Sequence, residues 1–84
     1  MENDLLSNID KVHTTTLGIV RIKRNLELTI DDADVVNWCK SKIKTASNIT
    51  RQGKNWYVVA INNTSSITIT VNAHSYTIIT AHKS

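Results

Sequence analysis

The strongest constraint on this chain is a change in the spacing of its apolar residues near Ser47. Before that point they recur every three or four positions, as on one face of a helix; after it they alternate. The residues Ile67-Thr68-Ile69-Thr70-Val71 alternate without a break. Trp56 to Ile61 is rich in aromatic and β-branched side chains, which suit a pleated surface. A chain that changes period once, from helical to extended, belongs to the α+β class.

Three helices are predicted in the first half. Leu5, Leu6, Ile9 and Val12 form one stripe from about Glu2 to Val12. The run Thr14-Thr15-Thr16 supplies a hydroxyl to cap a second helix, Leu17 to Glu27, whose buried line is Ile19, Ile22 and Leu26 with Val20 at its margin. Asp31, Asp32 and Asp34 precede a third helix and cap or complement its N-terminus. Its stripe is Val36, Cys39 and Ile43, flanked by Val35 and Trp38, with Lys40, Lys42 and Lys44 toward the far end.

Four strands follow: 49–51, 56–61, 67–71 and 76–82. A turn at Gln52-Gly53-Lys54-Asn55, a polar loop from Asn62 to Ser66 and a turn from Asn72 to Ser75 separate them. Short loops between consecutive strands favour an antiparallel meander. The expected architecture is two to three N-terminal helices packed on one face of a four-stranded antiparallel sheet. The other face is then open. Thr68 and Thr70 should point to it, and the favoured register of the last hairpin adds Tyr76, Ile78, Thr80 and His82. Thr77, Ile79 and Ala81 would then enter the core; a one-residue shift reverses that assignment.

With 84 residues, 40% of them apolar and 20% charged, residues 1–84 are expected to form one folded domain. The net charge of +3 and pI of about 9.3 permit an anionic partner without requiring one. Cys39, the single cysteine, cannot form an intramolecular disulfide, and its place on an apolar stripe reads as core. His13, His74 and His82 lack metal-ligand spacing, so no metal or other cofactor is expected. No run is long and apolar enough to suggest a membrane span or a leader, which makes the cytoplasm the default location. Sequons at Asn48, Asn62 and Asn63 carry no weight in that setting.

No phosphate-binding loop, dinucleotide fingerprint or nucleophile elbow is present. The groups able to do chemistry are polar residues around the sheet: Arg51, Lys54, His74, Tyr76, Thr80, His82 and Lys83. Histidines with Lys or Arg can cleave RNA without a metal: a base takes the 2′-hydroxyl proton, an acid protonates the leaving oxygen and a cation stabilises the phosphorane. Trp56 and Tyr57 are neighbours and must face opposite sides of the sheet, so one packs inside and the other can stack on a base.

The segments Asn8–Thr15, Val35–Lys40, Gly53–Val58 and Val71–Lys83 resemble a small bacterial family of unknown function, over nearly the whole chain. The last hairpin, Ile69–Asn72 with Tyr76–Ala81, is more distantly similar to that of the barnase–EndoU–colicin–RelE-like RNases. This similarity implies N-terminal helices on a four-stranded antiparallel sheet, catalytic groups on the open face and a hydroxyl near the end of the last strand, where Thr80 stands. The leading expectation is therefore a metal-independent toxin-like domain that cleaves or binds RNA. His82, Thr80 and His13 would be its catalytic groups, and Arg51, Lys54, His74 and Tyr76 its substrate-binding groups. The competing expectations are a non-catalytic binding or inhibitor protein with a protein or nucleic-acid partner, and a homo-oligomer, such as a dimer, paired through an edge strand.

Overall fold

The computed structural model describes residues 4–62 and 65–83. The expected start of the first helix at Glu2, the middle of the Asn62–Ser66 loop and the sequon at Asn63 fall wholly or partly outside them. The helical layer consists of α1 (Asp4–Ser7), a 3₁₀ turn (Ile9–Lys11), α2 (Thr16–Leu26) and α3 (Asp32–Lys44). The sheet consists of β1 (Asn48–Gln52), β2 (Asn55–Asn62), β3 (Ser65–Asn72) and β4 (Ile78–Lys83), antiparallel and in chain order. This is the α+β meander expected from the change of period.

Local chemistry accounts for the helix boundaries. Thr15 is the N-cap of α2, its hydroxyl accepting from Gly18 N–H at 3.0 Å. Asp31 is the N-cap of α3 but makes no side-chain cap bond; Asp32 pairs instead with Lys23 of α2 at 2.9 Å. Two helical expectations need correction. The first helix is not continuous, because it breaks at Asn8 into one α-turn and one 3₁₀ turn. The α3 stripe runs through Val35, Cys39 and Ile43, with Val36 only half-buried; spacings of four keep this stripe aligned on one face.

One hydrophobic core lies between the layers. The helical side supplies Leu5, Val12, Ile22, Leu26, Val35, Cys39 and Ile43. The sheet side supplies Trp56, Val58 and Ala60 from β2, Ile67, Ile69 and Val71 from β3, and Ile78 and Ala81 from β4. Ile19 packs at the margin, and Val20 faces solvent. Helix α2 lies chiefly over β4, and α3 over β2.

The last hairpin corrects the expected facing. Val71 pairs with Ile78 and Thr70 with Thr80, so Ile79 is an extra residue opposite a one-residue step on β3. Such a bulge moves the chain by one position and exchanges its faces. Ile78 is therefore buried (1% exposed), whereas Ile79 is exposed (41%). Beyond the bulge the expected order returns, with Ala81 inside and Thr80 and His82 on the open face. Tyr76 and Thr77 precede the strand. Instead of joining the open face, Tyr76 packs against the core.

Candidate nucleic-acid interface

Strand register arranges the open face in rows. One row is Thr50–Tyr57–Thr70–Thr80, and the next is Asn48–Val59–Thr68–His82. Trp56 is the inward member of the aromatic pair at 5% exposure, which leaves Tyr57 half-buried on the open side. Asn48 donates to the Thr50 hydroxyl at 3.2 Å. Among the described residues, the side chains of Tyr57, Thr68, Thr70, Thr80 and His82 make no hydrogen bond to another residue. Thr70 is buried (7% exposed), whereas Tyr57, Thr68 and Thr80 are half-buried and His82 is exposed, so these four present their donors and acceptors on the face. Neither row contains an Asp, Glu, Lys or Arg.

The turn end of the sheet is organised differently. The Asn72 side-chain oxygen accepts from the backbone N–H groups of His74 (2.8 Å) and Ser75 (2.9 Å). This fixes a turn that delivers Tyr76 in the left-handed region, φ 60°. A bulky aromatic there is a steric outlier. It is held by neighbours: Tyr76 N–H donates to Asn72 C=O at 2.9 Å, and His13 N–H donates to Tyr76 C=O at 3.1 Å. The Tyr76 and Trp56 rings lie 5.4 Å apart. The Arg51 guanidinium sits 5.4 Å from the Trp56 centroid, and Lys11 Nζ sits 5.7 Å from that of Tyr76. Arg51 Nε also donates to Gly53 C=O at 3.0 Å. Lys54 and His74 are exposed on the two adjoining turns, joined where Ala73 N–H donates to Lys54 C=O at 2.7 Å.

The expected site residues therefore fall into two groups. Arg51, Lys54, His74 and Tyr76 gather at the turn end. Arg51 and Tyr76 lie on the helix side of the rim, because Arg51 pairs with the inward Trp56. Thr80 and His82 lie on the opposite, open face. His13, expected as an acid or base, lies beside Tyr76 at the turn end and apart from His82 and Thr80. Its Nδ1 lies 2.8 Å from Lys11 C=O, and its Nε2 lies 3.1 Å from the Thr77 hydroxyl. A carbonyl only accepts, so Nδ1 donates to Lys11 C=O. The Nε2 contact thus ties the segment before α2 to Thr77, next to the start of β4, while the Nδ1 contact is local to that segment. Cys39 is sealed in the core, where burial pushes its thiol up to about 12, and it offers no nucleophile at neutral pH.

Sequence reasoning missed a charge asymmetry. All seven carboxylates lie at or before Asp34. From Val35 onward the charged residues are Lys40, Lys42, Lys44, Arg51, Lys54 and Lys83, with no Asp or Glu. The strands and turns of the sheet consequently carry no negative side chain. Such asymmetry between halves is a recognised mark of interaction with polyanions. Lys11 was also missed, because only the folded chain brings it to Tyr76.

A family model described as a protein of unknown function (DUF3781) matches residues 6–82. No curated protein and no solved structure matches the chain, and none of the comparisons links it to the RNase toxins.

Proposed function

The chain belongs to the DUF3781 family, whose function is unknown, and from that starting point we propose that it binds single-stranded RNA on the open face of its sheet without cleaving it. The observation that carries this reading is Tyr57, an aromatic ring set in a row of hydroxyls on a sheet face that lacks any carboxylate. Single strands present unstacked bases that stack on aromatic rings and ribose hydroxyls that exchange hydrogen bonds with polar side chains. Thr68, Thr80 and His82 supply such partners. The cation excess from Val35 onward supplies the attractive field.

The cleaving version of the reading is less well supported. In-line cleavage needs a base and an acid on either side of one phosphorus. His82 and Thr80 share the open face, but His13 is engaged with Lys11 and Thr77.

The test is fluorescence anisotropy of a labelled single-stranded RNA octamer at low salt, with a duplex of the same sequence as comparison. Preferential binding of the single strand is expected, weakening as salt rises. Base stacking contributes roughly 1–3 kcal/mol, so Tyr57→Ala should weaken binding about 5- to 150-fold. Absence of single-strand binding, or an unchanged Tyr57→Ala affinity, refutes the reading. Shortening of the RNA in EDTA that disappears in His82→Ala would replace binding with cleavage.

A further inference from the structure

We propose that the turn end of the sheet is a binding site for a phosphate monoester and that, on the RNA-binding reading above, it takes the terminal phosphate of the strand. The site is centred on Arg51. Two contacts hold its guanidinium: the face of Trp56 at 5.4 Å and the Nε bond to Gly53 C=O at 3.0 Å. Its terminal nitrogens make no hydrogen bond or ion pair with any described residue, and Arg51 as a whole is exposed. A guanidinium fixed at Nε and stacked on a ring presents its remaining donors as a rigid fork, a geometry that matches two oxygens of a phosphate.

Among the described residues no ion pair compensates the charge around this fork. Lys54 is exposed three residues away on the same turn, His74 on the adjoining turn, and Lys11 lies across the Tyr76 ring. Among the described residues no carboxylate forms an ion pair with Arg51, Lys54 or Lys11; the two ion pairs found there, Lys23–Asp32 and Lys83–Glu27, lie on other elements. Asp10, beside Lys11 in the 3₁₀ turn, is exposed and makes no ion pair with a described residue. The cluster of Arg51, Lys54 and Lys11, unpaired among the described residues, favours a dianion over a monoanion. A monoester carries close to two negative charges at neutral pH, and an internal diester carries one.

Placement favours a strand end over its middle. Tyr57 and the hydroxyl rows lie on one side of the rim, and Arg51, Trp56 and Tyr76 on the other. An RNA passing through both regions would have to fold over the rim and then meet the segment carrying Lys11, which lies against Tyr76. A strand that ends at the rim needs to bring only its last phosphate across. The left-handed Tyr76 fits this reading as well: backbone strain of this kind is retained where the surroundings hold a functional constellation in place.

The experiment compares octamers bearing a 5′-phosphate, a 3′-phosphate or only hydroxyl ends, and titrates inorganic phosphate and pyrophosphate alone while following backbone amide NMR shifts. One phosphorylated octamer should bind at least about tenfold more tightly than the hydroxyl-ended one. Arg51→Gln and Lys54→Gln should each remove most of that difference, while Tyr57→Ala weakens all three octamers alike. Circular dichroism confirms that the variants fold. Equal affinity for all three octamers overturns the inference and leaves the RNA reading standing. If no octamer binds but inorganic phosphate or pyrophosphate shifts Gly53, Lys54 and His74 saturably, the RNA reading falls and the site stands for a small phosphorylated ligand. Absence of both effects overturns the inference.

Discussion

Replacing Gly18 with alanine sets two effects of opposite sign against each other. In an open helix the change is favourable by about 0.8–1.0 kcal/mol, because alanine is the better helix former. Gly18, however, lies on the buried side of α2 in its first turn, where an added methyl group would strike the Thr14 hydroxyl and press on that of Thr15. Neither threonine is free to yield. The Thr14 hydroxyl donates to Ile78 C=O at 2.9 Å, and that of Thr15 caps Gly18 N–H at 3.0 Å. Overpacking costs about 1–3 kcal/mol, and loss of the Thr14 bond about 0.5–1.5 kcal/mol. Subtracting the helix-propensity gain leaves a net loss of about 0.5–3.5 kcal/mol, centred near 2 kcal/mol. For a chain of this size that lowers Tm by roughly 5–20 °C. Urea unfolding followed by Trp56 fluorescence measures it, and Thr14→Ala provides the internal control, since Gly18→Ala should cost little once the obstructing hydroxyl is gone. A Gly18→Ala protein about 1 kcal/mol more stable than wild type, as propensity alone predicts, would refute the close approach of α2 to the Thr14 segment.

Three further outcomes follow from the packing. Ile78→Ala should cost about 2–5 kcal/mol and Ile79→Ala less than about 0.5 kcal/mol in the same urea assay; equal costs would contradict the bulge. Cys39 should react with a thiol reagent only as fast as the chain unfolds, because burial raises its pKa to about 12; rapid stoichiometric labelling in native buffer would place it elsewhere. The hydrogen bond and charge of Lys83 hold the Glu27 carboxyl below its ordinary value of 4.5. Its contribution to stability is therefore complete above the ordinary carboxylate range and is lost as pH falls through the lowered value. An NMR titration of the Glu27 side chain in wild type and Lys83→Met should show the midpoint rising in the variant; an unmoved midpoint would exclude the pair.

Local chemistry made much of this fold legible. The switch of period at Ser47 locates the boundary between the helical layer and the sheet, the threonine run marks the start of α2, and the stripe position of Cys39 marks it as core. The adjacency of Trp56 and Tyr57 requires one ring inside and one outside, and packing decides which. What remained hidden depends on contacts between distant segments. Alternation alone cannot reveal a bulge, because Ile78 and Ile79 are equally apolar and either could enter the core. The tie between His13 and Thr77, 64 residues apart, leaves no local pattern. The same holds for Lys11 on Tyr76. The candidate site was thus legible as a set of residue types but not as two groups on opposite sides of the rim. The carboxylate-free second half was the one global signal available in the composition.

Moving a single negative charge across the surface tests the proposed RNA face most directly. Thr68→Glu places a carboxylate in the middle of the open face between Val59 and His82, whereas Asn37→Glu places it on the exposed side of α3. Both variants lower the net charge equally, so the long-range field falls alike and only position differs. Measured by anisotropy with the same single-stranded octamer, Thr68→Glu should lose at least about tenfold in affinity, and Asn37→Glu should stay within about twofold of wild type. Equal losses in the two folded variants, or an undiminished Thr68→Glu affinity, would contradict binding on the open face.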